Sequence, residues 1–203
     1  LVNEDIEKEF MKIGVKDSKK LFPRRREKLA EEIKKLAIKW EFIKIPVNEI
    51  DGKDNENLNL NQREAIAASM IINKINSDLK GKEKIKVIID CPSTNIDSWK
   101  RYLETFIIAK SNVHLVCEHK ADENHIAVSA ASIIAKTIRE EEIKKIKKEI
   151  GIDFGSGYSS DPITRKFIRE NYQKFKDKEI FRESWATIRS QKSKNIQKKL
   201  FQD

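Results

Sequence analysis

The amino-acid sequence predicts a protein of the α/β class, in which helices flank a sheet. Two short β-branched runs, at residues 85–89 and 113–116, have the length and composition of buried strands. Longer segments with apolar residues at helical spacing separate them, and a third run at residues 40–47 alternates between apolar and polar side chains. Strands that alternate with helices are typical of sheets built with crossover connections.

The first part of the chain predicts two helices and one strand. Residues 3–13 carry apolar side chains at helical spacing, and Gly14 closes this pattern. After a polar turn at residues 16–20, Pro23 begins a second helix, because proline is favoured in the first helical turn. The alternation at residues 40–47 then predicts a half-buried strand.

The middle of the chain predicts helices on either side of two strands. A helix over about 61–79 ends at Gly81 and leads to the strand at 85–89. A helix over 96–109 then leads to the strand at 113–116.

The last part predicts helices joined by one flexible loop. A long helix over about 124–150 is dense in Lys and Glu in its second half, and a glycine-serine loop follows at 151–160. Asp161 and Pro162 have the cap and first-position pattern of a new helix. The tail from about Ser184 is basic and helical in composition.

The charge balance points to an anionic partner. Among 203 residues, 42 Lys and Arg exceed 33 Asp and Glu, which leaves a formal charge of +9. Such an excess favours nucleic acid, although lysine-rich surfaces also serve solubility and heat resistance. Two cysteines make no disulfide framework, and no apolar run reaches the length of a membrane span. We therefore expect a cytoplasmic protein without a membrane partner.

The strand count suggests that part of the sheet is missing. Three strands are few beside about six helices, and the chain begins with Leu1 rather than methionine. We expect that residues precede Leu1 in the natural protein and that they include the first strand or strands.

Two aspartates follow strands in positions suited to metal binding. Asp90 directly follows the run at 85–89, and Asp122 lies just past the run at 113–116. Functional groups of open α/β sheets gather beyond the carboxyl ends of strands, and Mg²⁺ prefers carboxylate oxygens together with substrate phosphate. Each aspartate alone is as readily a helix cap or turn residue; their shared placement favours metal-assisted chemistry on nucleic acid.

Six motifs in order show a resemblance to a known family. They are Lys-Asp-Ser-Lys-Lys-Leu at 16–21, Ile-Ile-Asp-Cys-Pro-Ser-Thr-Asn at 88–95, Glu-His-Lys-Ala-Asp at 118–122, Val-Ser-Ala-Ala-Ser-Ile-Ile-Ala-Lys at 128–136, Gly-Ser-Gly-Tyr at 155–158 with Ser-Asp-Pro at 160–162, and Ser-Trp at 184–185. With these motifs the chain resembles ribonuclease HII of the archaeal kind, over nearly its whole length.

The resemblance implies an RNase H-like fold and an activity. The fold is a mixed sheet flanked by helices with a helical C-terminal region. We expect residues 1–160 to form the catalytic domain, incomplete at its N terminus, and residues 161–203 to form a substrate-binding extension. The implied activity is endonucleolytic cutting of RNA in RNA–DNA hybrids and at ribonucleotides embedded in DNA, with a role in replication and repair. The implied form is a monomer.

The resemblance also implies site residues. Members hold Mg²⁺ or Mn²⁺ with four acidic residues, two of which match Asp90 and Asp122. The other two form a pair within an Asp-Glu-Ala-Gly-Arg-Gly signature that does not occur in this sequence, so we expect the 203 residues alone to cut poorly. Tyr158 matches a tyrosine that packs on the sugar at the RNA–DNA junction, and Lys16, Ser18 and Lys19 match a turn that contacts the substrate backbone.

Two positions depart from the family pattern. Where relatives usually carry Tyr-Pro after Lys-Ala-Asp, this chain has His125-Ile126, and where they carry proline after Gly-Ser-Gly-Tyr it has Ser159. Both positions lie beside the implied site and bear on fine positioning rather than on the type of reaction.

Other interpretations remain open at this point. The chain can be a non-catalytic nucleic-acid-binding relative of such an enzyme, or another nuclease or integrase of the same superfold. A zinc site is disfavoured because His114, Cys117, His119 and His125 fit no common spacing of zinc ligands.

Overall fold

A computed structural model of the chain describes residues 1–16, 21–52, 57–80 and 83–190. Its helices and strands, in chain order, are α1 (Glu4–Lys12), α2 (Pro23–Leu36), α3 (Val47–Ile50), α4 (Leu60–Asp78), β1 (Ile85–Asp90), α5 (Ile96–Glu104), β2 (Val113–Glu118), α6 (Ala121–Asn124), α7 (Ile126–Ile150), α8 (Pro162–Phe175) and a 3₁₀ turn (Lys176–Lys178).

The chain divides into two compact units. One consists of Leu1–Lys44 and Leu58–Arg139, and the other of Ile45–Asn57 and Glu140–Asp203. The first unit holds both strands and most helices, while the second holds the end of α7, α8 and the residues around them.

Both helices predicted in the first part of the chain are present, and α2 begins at the predicted Pro23. The side chain of Asn3 accepts a hydrogen bond from the N–H of Ile6 at the start of α1, and Gly14, with φ of 86°, follows its end. Pro23 is the first residue of α2, whose buried face carries Leu29, Ala30 and Ile33. These side chains share an apolar core with Phe10, Ala130 and Ile133.

The strand predicted at residues 40–47 is wrong. Residues 40–46 have no regular secondary structure, and Val47 begins the short helix α3. Trp40 and Phe42 are 37% and 43% exposed, and Glu41 between them is more buried than either, so the inward-facing apolar side chains that the alternation predicts are absent as well. A strand needs a hydrogen-bonded neighbour, and the sheet of the described residues consists of β1 and β2 alone.

The two buried strands are confirmed and pair in parallel. Their register runs from Ile85 opposite Val113 to Asp90 opposite Glu118, one or two residues beyond the predicted ends. Side chains from the neighbouring helices cover the pair in a core of Ala65, Ile72, Trp99, Leu103, Ile107 and Leu115.

Helix α5 is shorter than the predicted 96–109. It ends at Glu104, after which the N–H of Phe106 donates to the carbonyl of Leu103 in a tight turn. The side-chain amide of Asn73 then accepts from the N–H of Ile108 and donates to the carbonyl of Phe106. These two bonds engage the backbone of residues 106 and 108, so the helix does not continue there. A long-range side-chain contact therefore overrides local helical spacing.

The second unit has an aromatic core. Phe154, Phe167, Tyr172, Phe175 and Phe181 form it, with the rings of Phe167 and Phe154 5.1 Å apart. Helix α8 begins as predicted, with Asp161 as its cap and Pro162 as its first residue. In the basic tail, residues 186–190 are helical, and the residues beyond 190 lie outside the described part.

None of the helices in the described ranges combines the length and apolar character that a membrane crossing requires.

Candidate functional site

The carboxyl end of the sheet carries the first predicted site residue. Asp90 is the last residue of β1, its side chain is exposed, and it lies opposite Glu118, the last residue of β2. Because the two strands are parallel, both carboxylates stand at the same edge of the sheet.

The second predicted residue follows at that edge. After β2 the chain turns at Lys120, whose φ of 58° is left-handed, and enters the four-residue helix α6. The backbone N–H of Ala121 donates to Oδ1 of Asp90 at 3.3 Å. Asp122 is the next residue and is only 3% exposed. The structure thus brings the chain at Asp122 directly against Asp90.

Hydrogen bonds hold α6 in this place. The hydroxyl of Ser129 donates to the backbone carbonyl of Asp122, and the N–H of His125 donates to the carbonyl of Ala121. The N–H of Cys91 donates to the carbonyl of Glu118 at 2.9 Å, which extends the strand pairing past Asp90. The small residues at the start of α7, including Ser129 and Ala130, are buried beneath this turn.

Sequence reasoning missed a polar pair beside these aspartates. Nε2 of His125 lies 2.9 Å from Oε1 of Glu118, and Nδ2 of Asn124 donates to the same oxygen at 3.3 Å. His119 is separate, with Nδ1 3.2 Å from the carbonyl oxygen of Cys91. The sequence marks His125 as a departure from the family pattern and as a disfavoured zinc ligand, but not as a partner of Glu118. Its spacing to Glu118 matches no motif, because the turn through α6 brings the two together.

The carboxylate oxygens at this edge are of the kind that binds a hard divalent cation, but few side chains supply them. Asp90 and Asp122 offer carboxylate oxygens, which Mg²⁺ and Mn²⁺ prefer. Within the described ranges, however, no group of three or more His, Cys, Asp or Glu side chains is arranged to hold a metal ion. Burial and the neighbouring Cys91 raise the pKa of the Cys117 thiol to about 11, so Cys117 is protonated at neutral pH and a poor zinc ligand.

The glycine-serine loop of the second unit presents Tyr158. Gly155 and Gly157 have φ of 79° and 71°, and between them the chain makes a tight turn. The N–H of Gly157 donates to the hydroxyl of Thr164 at 3.0 Å, and that hydroxyl donates to the carbonyl of Phe154 at 2.8 Å. The ring of Tyr158 is 47% exposed.

Asp161 ties this loop to α8. Its Oδ2 accepts from both the backbone N–H and the hydroxyl of Ser156, each at 2.7 Å, and its Oδ1 accepts from the N–H of Ile163 at 2.8 Å. These bonds, above all that from the Ser156 N–H, lower the pKa of the Asp161 carboxyl to about 2. The sequence predicted Asp161 only as a helix cap.

The predicted substrate-binding turn is described in part. Lys16 is exposed on the surface of the first unit. Ser18 and Lys19 lie outside the described residues, so their predicted contacts remain predictions.

Comparison with known proteins covers most of the chain. The family model of ribonuclease HII matches residues 1–188. A ribonuclease HII of Methanobrevibacter smithii is 37% identical over 202 residues, which cover 97% of this chain and 89% of that protein.

Solved structures show the same likeness. The ribonuclease H2 of Pyrococcus horikoshii OT3 superposes with a TM-score of 0.78 at 31% identity, over 95% of this chain and 87% of that one. The RNase HII in a PCNA:RNase HII complex from Archaeoglobus fulgidus superposes with a TM-score of 0.70 at 38% identity, over 83% and 75% of the two chains. This likeness confirms the predicted RNase H-like fold class. Because the ribonuclease HII model matches residues 1–188, the chain belongs to the ribonuclease HII family, a family of endoribonucleases.

Proposed function

We propose that this chain acts on the RNA strand of RNA–DNA hybrids and on ribonucleotides embedded in duplex DNA, which it cuts by phosphodiester hydrolysis. The observation that carries the proposal is the contact between the N–H of Ala121 and the carboxylate of Asp90. This contact brings together the end of β1, which carries Asp90, and the turn after β2, which carries Asp122. The chain that contains both aspartates belongs to the ribonuclease HII family.

Asp90 and Asp122 would hold Mg²⁺ or Mn²⁺. When bound, a pair of such ions would supply an activated water and charge stabilisation at the leaving 3′ oxygen, with 5′-phosphate and 3′-hydroxyl ends as products. The buried setting of Asp122 fixes its backbone, because Ser129 and α6 hold it. Asp90, exposed at the strand end, faces the solvent from which the substrate phosphate arrives.

The remaining predicted residues would bind substrate. The exposed Lys16, together with Ser18 and Lys19, would contact backbone phosphates, for which Lys and Ser are ordinary partners. Tyr158 would pack on the sugar at the junction between ribonucleotide and deoxyribonucleotide. Residues 161–203 would form a substrate-binding extension of a catalytic domain at 1–160, and the enzyme would act as a cytoplasmic monomer.

We further propose that the 203 residues by themselves cut slowly. Of the four acidic ligands that the family resemblance implies, the described residues supply two, Asp90 and Asp122. The third carboxylate at this edge, Glu118, is paired with His125. With half of the ligands, the affinity for the ions falls, and so does the rate of any step that needs them.

A second candidate function rests on the same shortage of ligands. In a non-catalytic nucleic-acid-binding protein of this family, the formal charge of +9 and the exposed Tyr158 would serve binding alone. The lack of a three-residue metal group in the described ranges favours this alternative.

A cleavage assay distinguishes the two functions. An end-labelled DNA duplex with one ribonucleotide is incubated with Mg²⁺ or Mn²⁺ and either the 203-residue chain or a version extended at its N terminus by a segment that carries an Asp-Glu pair. We expect slow or undetectable cutting by the first and ready cutting at the ribonucleotide by the second. In the extended version, Asp90→Asn or Asp122→Asn should lower the rate by about 100-fold or more, because each removes a direct metal ligand.

Matched controls decide the outcome. Asp97→Asn removes the same charge from the exposed first turn of α5 and should leave the rate unchanged. Rapid turnover by the 203-residue chain would contradict the proposed shortage of ligands. An extended version that binds the duplex and never cuts it would instead support the binding protein.

A further inference from the structure

The two oxygens of the Asp161 carboxylate make separate contacts. Oδ1 caps α8 by accepting from the N–H of Ile163 at 2.8 Å. Oδ2 reaches back to the preceding loop and accepts two hydrogen bonds from Ser156, one from its N–H and one from its hydroxyl. A helix cap needs only the first of these contacts, so the second calls for a separate explanation.

Both backbone groups of Tyr158 are tied to the same pair of residues. Its N–H donates to the hydroxyl oxygen of Ser156 at 3.4 Å, and its carbonyl accepts from the N–H of Asp161 at 3.0 Å. The bonds between Asp161 and Ser156 therefore close a ring of contacts around Tyr158. With the backbone held in this way, the exposed ring projects from a fixed base.

Gly155 shows how closely the carboxylate fits the loop. A Cβ atom at this position would lie 2.5 Å from Oδ2 of Asp161 and 3.0 Å from Cβ of Ile163. The turn thus has room for the carboxylate only because residue 155 has no side chain. The lowered pKa of Asp161 agrees with a carboxylate that is ionised and well supplied with donors.

We propose that Asp161 is a positioning residue for Tyr158, and that through Ser156 it sets the preference of the protein for a ribonucleotide over a deoxyribonucleotide. The inference rests on the proposed function, in which Tyr158 contacts the sugar at the junction. Asp161 itself touches no substrate. Its effect is to hold the Tyr158 backbone before substrate arrives, which lowers the entropic cost of binding.

The main variant, Asp161→Ser, separates the helix cap from the contact with Ser156. Serine is as good a helix cap as aspartate but is too short to reach Ser156 from position 161, so Asp161→Ser retains the cap of α8 and removes the link to the loop. Ser156→Ala provides a second variant, because it removes the bonds of the Ser156 hydroxyl to Asp161 and to the Tyr158 N–H and leaves both the carboxylate and the cap in place. Asn3→Ser, which shortens the cap of α1, is the matched control.

The measurement is the ratio of two affinities in EDTA, where the duplex stays uncut. Fluorescence anisotropy gives Kd for a duplex with one ribonucleotide and for the same duplex in all-DNA form. We expect Tyr158→Ala to reduce the ratio by about 10-fold, the scale of one lost stacking contact. Asp161→Ser should reduce it to the same level, Ser156→Ala should reduce it in part, and Asn3→Ser should leave it unchanged.

The double variant and hydrogen exchange complete the test. Added to Tyr158→Ala, Asp161→Ser should cause no further loss, because both act on one contact. In Asp161→Ser, the amide of Ser156 should exchange faster while the amides of α8 stay protected. A normal ratio in Asp161→Ser, or losses that add in the double variant, would overturn the inference. A wild-type chain without any preference would overturn the proposed function as well, so the two failures are distinguishable.

Discussion

Asp90 and Asp122 differ in exposure although they share one edge of the sheet. Asp122 is buried, and its backbone is held by Ser129, whereas Asp90 is exposed and accepts one hydrogen bond from Ala121. A site of this kind combines a fixed group with one that can adjust to a ligand.

The ionisation of Asp161 predicts a pH dependence. Its folded pKa, about 2, lies below the ordinary value of 3.8 because Ser156 and Ile163 donate to the carboxylate. A depressed pKa contributes stability that is complete above the unfolded value and is lost as the pH falls toward the folded value. The stability gap between wild type and Asp161→Asn should therefore be constant from about pH 6 to pH 4.5 and shrink between about pH 4 and pH 2.

Urea unfolding at several pH values measures this gap. Asp177→Asn, in the exposed 3₁₀ turn after α8, is the control for the loss of one surface carboxylate. A gap for Asp161→Asn that stays constant down to pH 2 would show that the carboxylate charge does not stabilise the loop.

Single residues were predictable from sequence where their position depends on the chain nearby. Asp90 was predicted in this way from its place at a strand end, whereas Tyr158, which directly follows Gly157, was predicted from the family resemblance. The pair of Glu118 and His125, and the bond from Asp161 to Ser156, depend on how a turn folds back. No periodicity or motif records such a turn, so sequence reasoning could not supply them.

The glycine loop yields a prediction at the level of an element. Gly155 and Gly151 both have left-handed φ, at 79° and 71°, but only Gly155 lacks room for a Cβ. Gly151→Ala should cost about 1 kcal/mol from backbone strain alone. Gly155→Ala should cost about 2–3 kcal/mol, since the added methyl group also displaces the Asp161 carboxylate. Equal losses of unfolding free energy in the two variants would show that the close approach to Asp161 is unimportant.

The end of α4 is joined to the loop before β2 by an amide pair in which Asn76 is buried and Asn112 is half-buried. Asn76 and Asn112 exchange side-chain hydrogen bonds at 3.1 and 2.6 Å, and Asn76 also donates to the carbonyl of Ala109. Asn76→Ala should cost about 2–3 kcal/mol, because it removes a buried amide together with its three hydrogen bonds. Asn73→Ala, one turn earlier and more exposed, loses bonds of the same type and should cost about 1 kcal/mol.

Chemical denaturation of both variants checks this difference. If Asn73→Ala and Asn76→Ala lowered the free energy of unfolding by similar amounts, burial of Asn76 would not strengthen the contact between α4 and the loop before β2.

Elements with strong local signals followed the sequence, and one with a weak signal did not. Capping by Asn3 and the leading Pro23 define helices that the structure retains. The alternation at residues 40–47 predicts a strand but carries no information on a hydrogen-bonded neighbour. The described residues supply no such neighbour, and the segment is irregular, with Trp40 and Phe42 exposed.

At the scale of the whole molecule, an excess of positive charge accompanies a site with few acidic ligands. The formal charge of +9 favours binding to a duplex at low salt, without regard to sequence. In the proposed function, chemistry on that duplex would depend on the local arrangement at Asp90 and Asp122. Binding and cutting are therefore separable properties of this chain.

The most direct test is a Mn²⁺ titration of the protein, followed by the electron paramagnetic resonance of free Mn²⁺ in the presence of the ribonucleotide-containing duplex. We predict saturable Mn²⁺ binding to the wild type. In Asp90→Asn and in Asp122→Asn the Mn²⁺ affinity should fall by about 10-fold or more, because losing a direct ligand costs at least as much as losing a residue that hydrogen-bonds to a ligand. Asp97→Asn should bind Mn²⁺ like the wild type. Unchanged Mn²⁺ affinity in both Asp90→Asn and Asp122→Asn would contradict a shared cation at these two carboxylates.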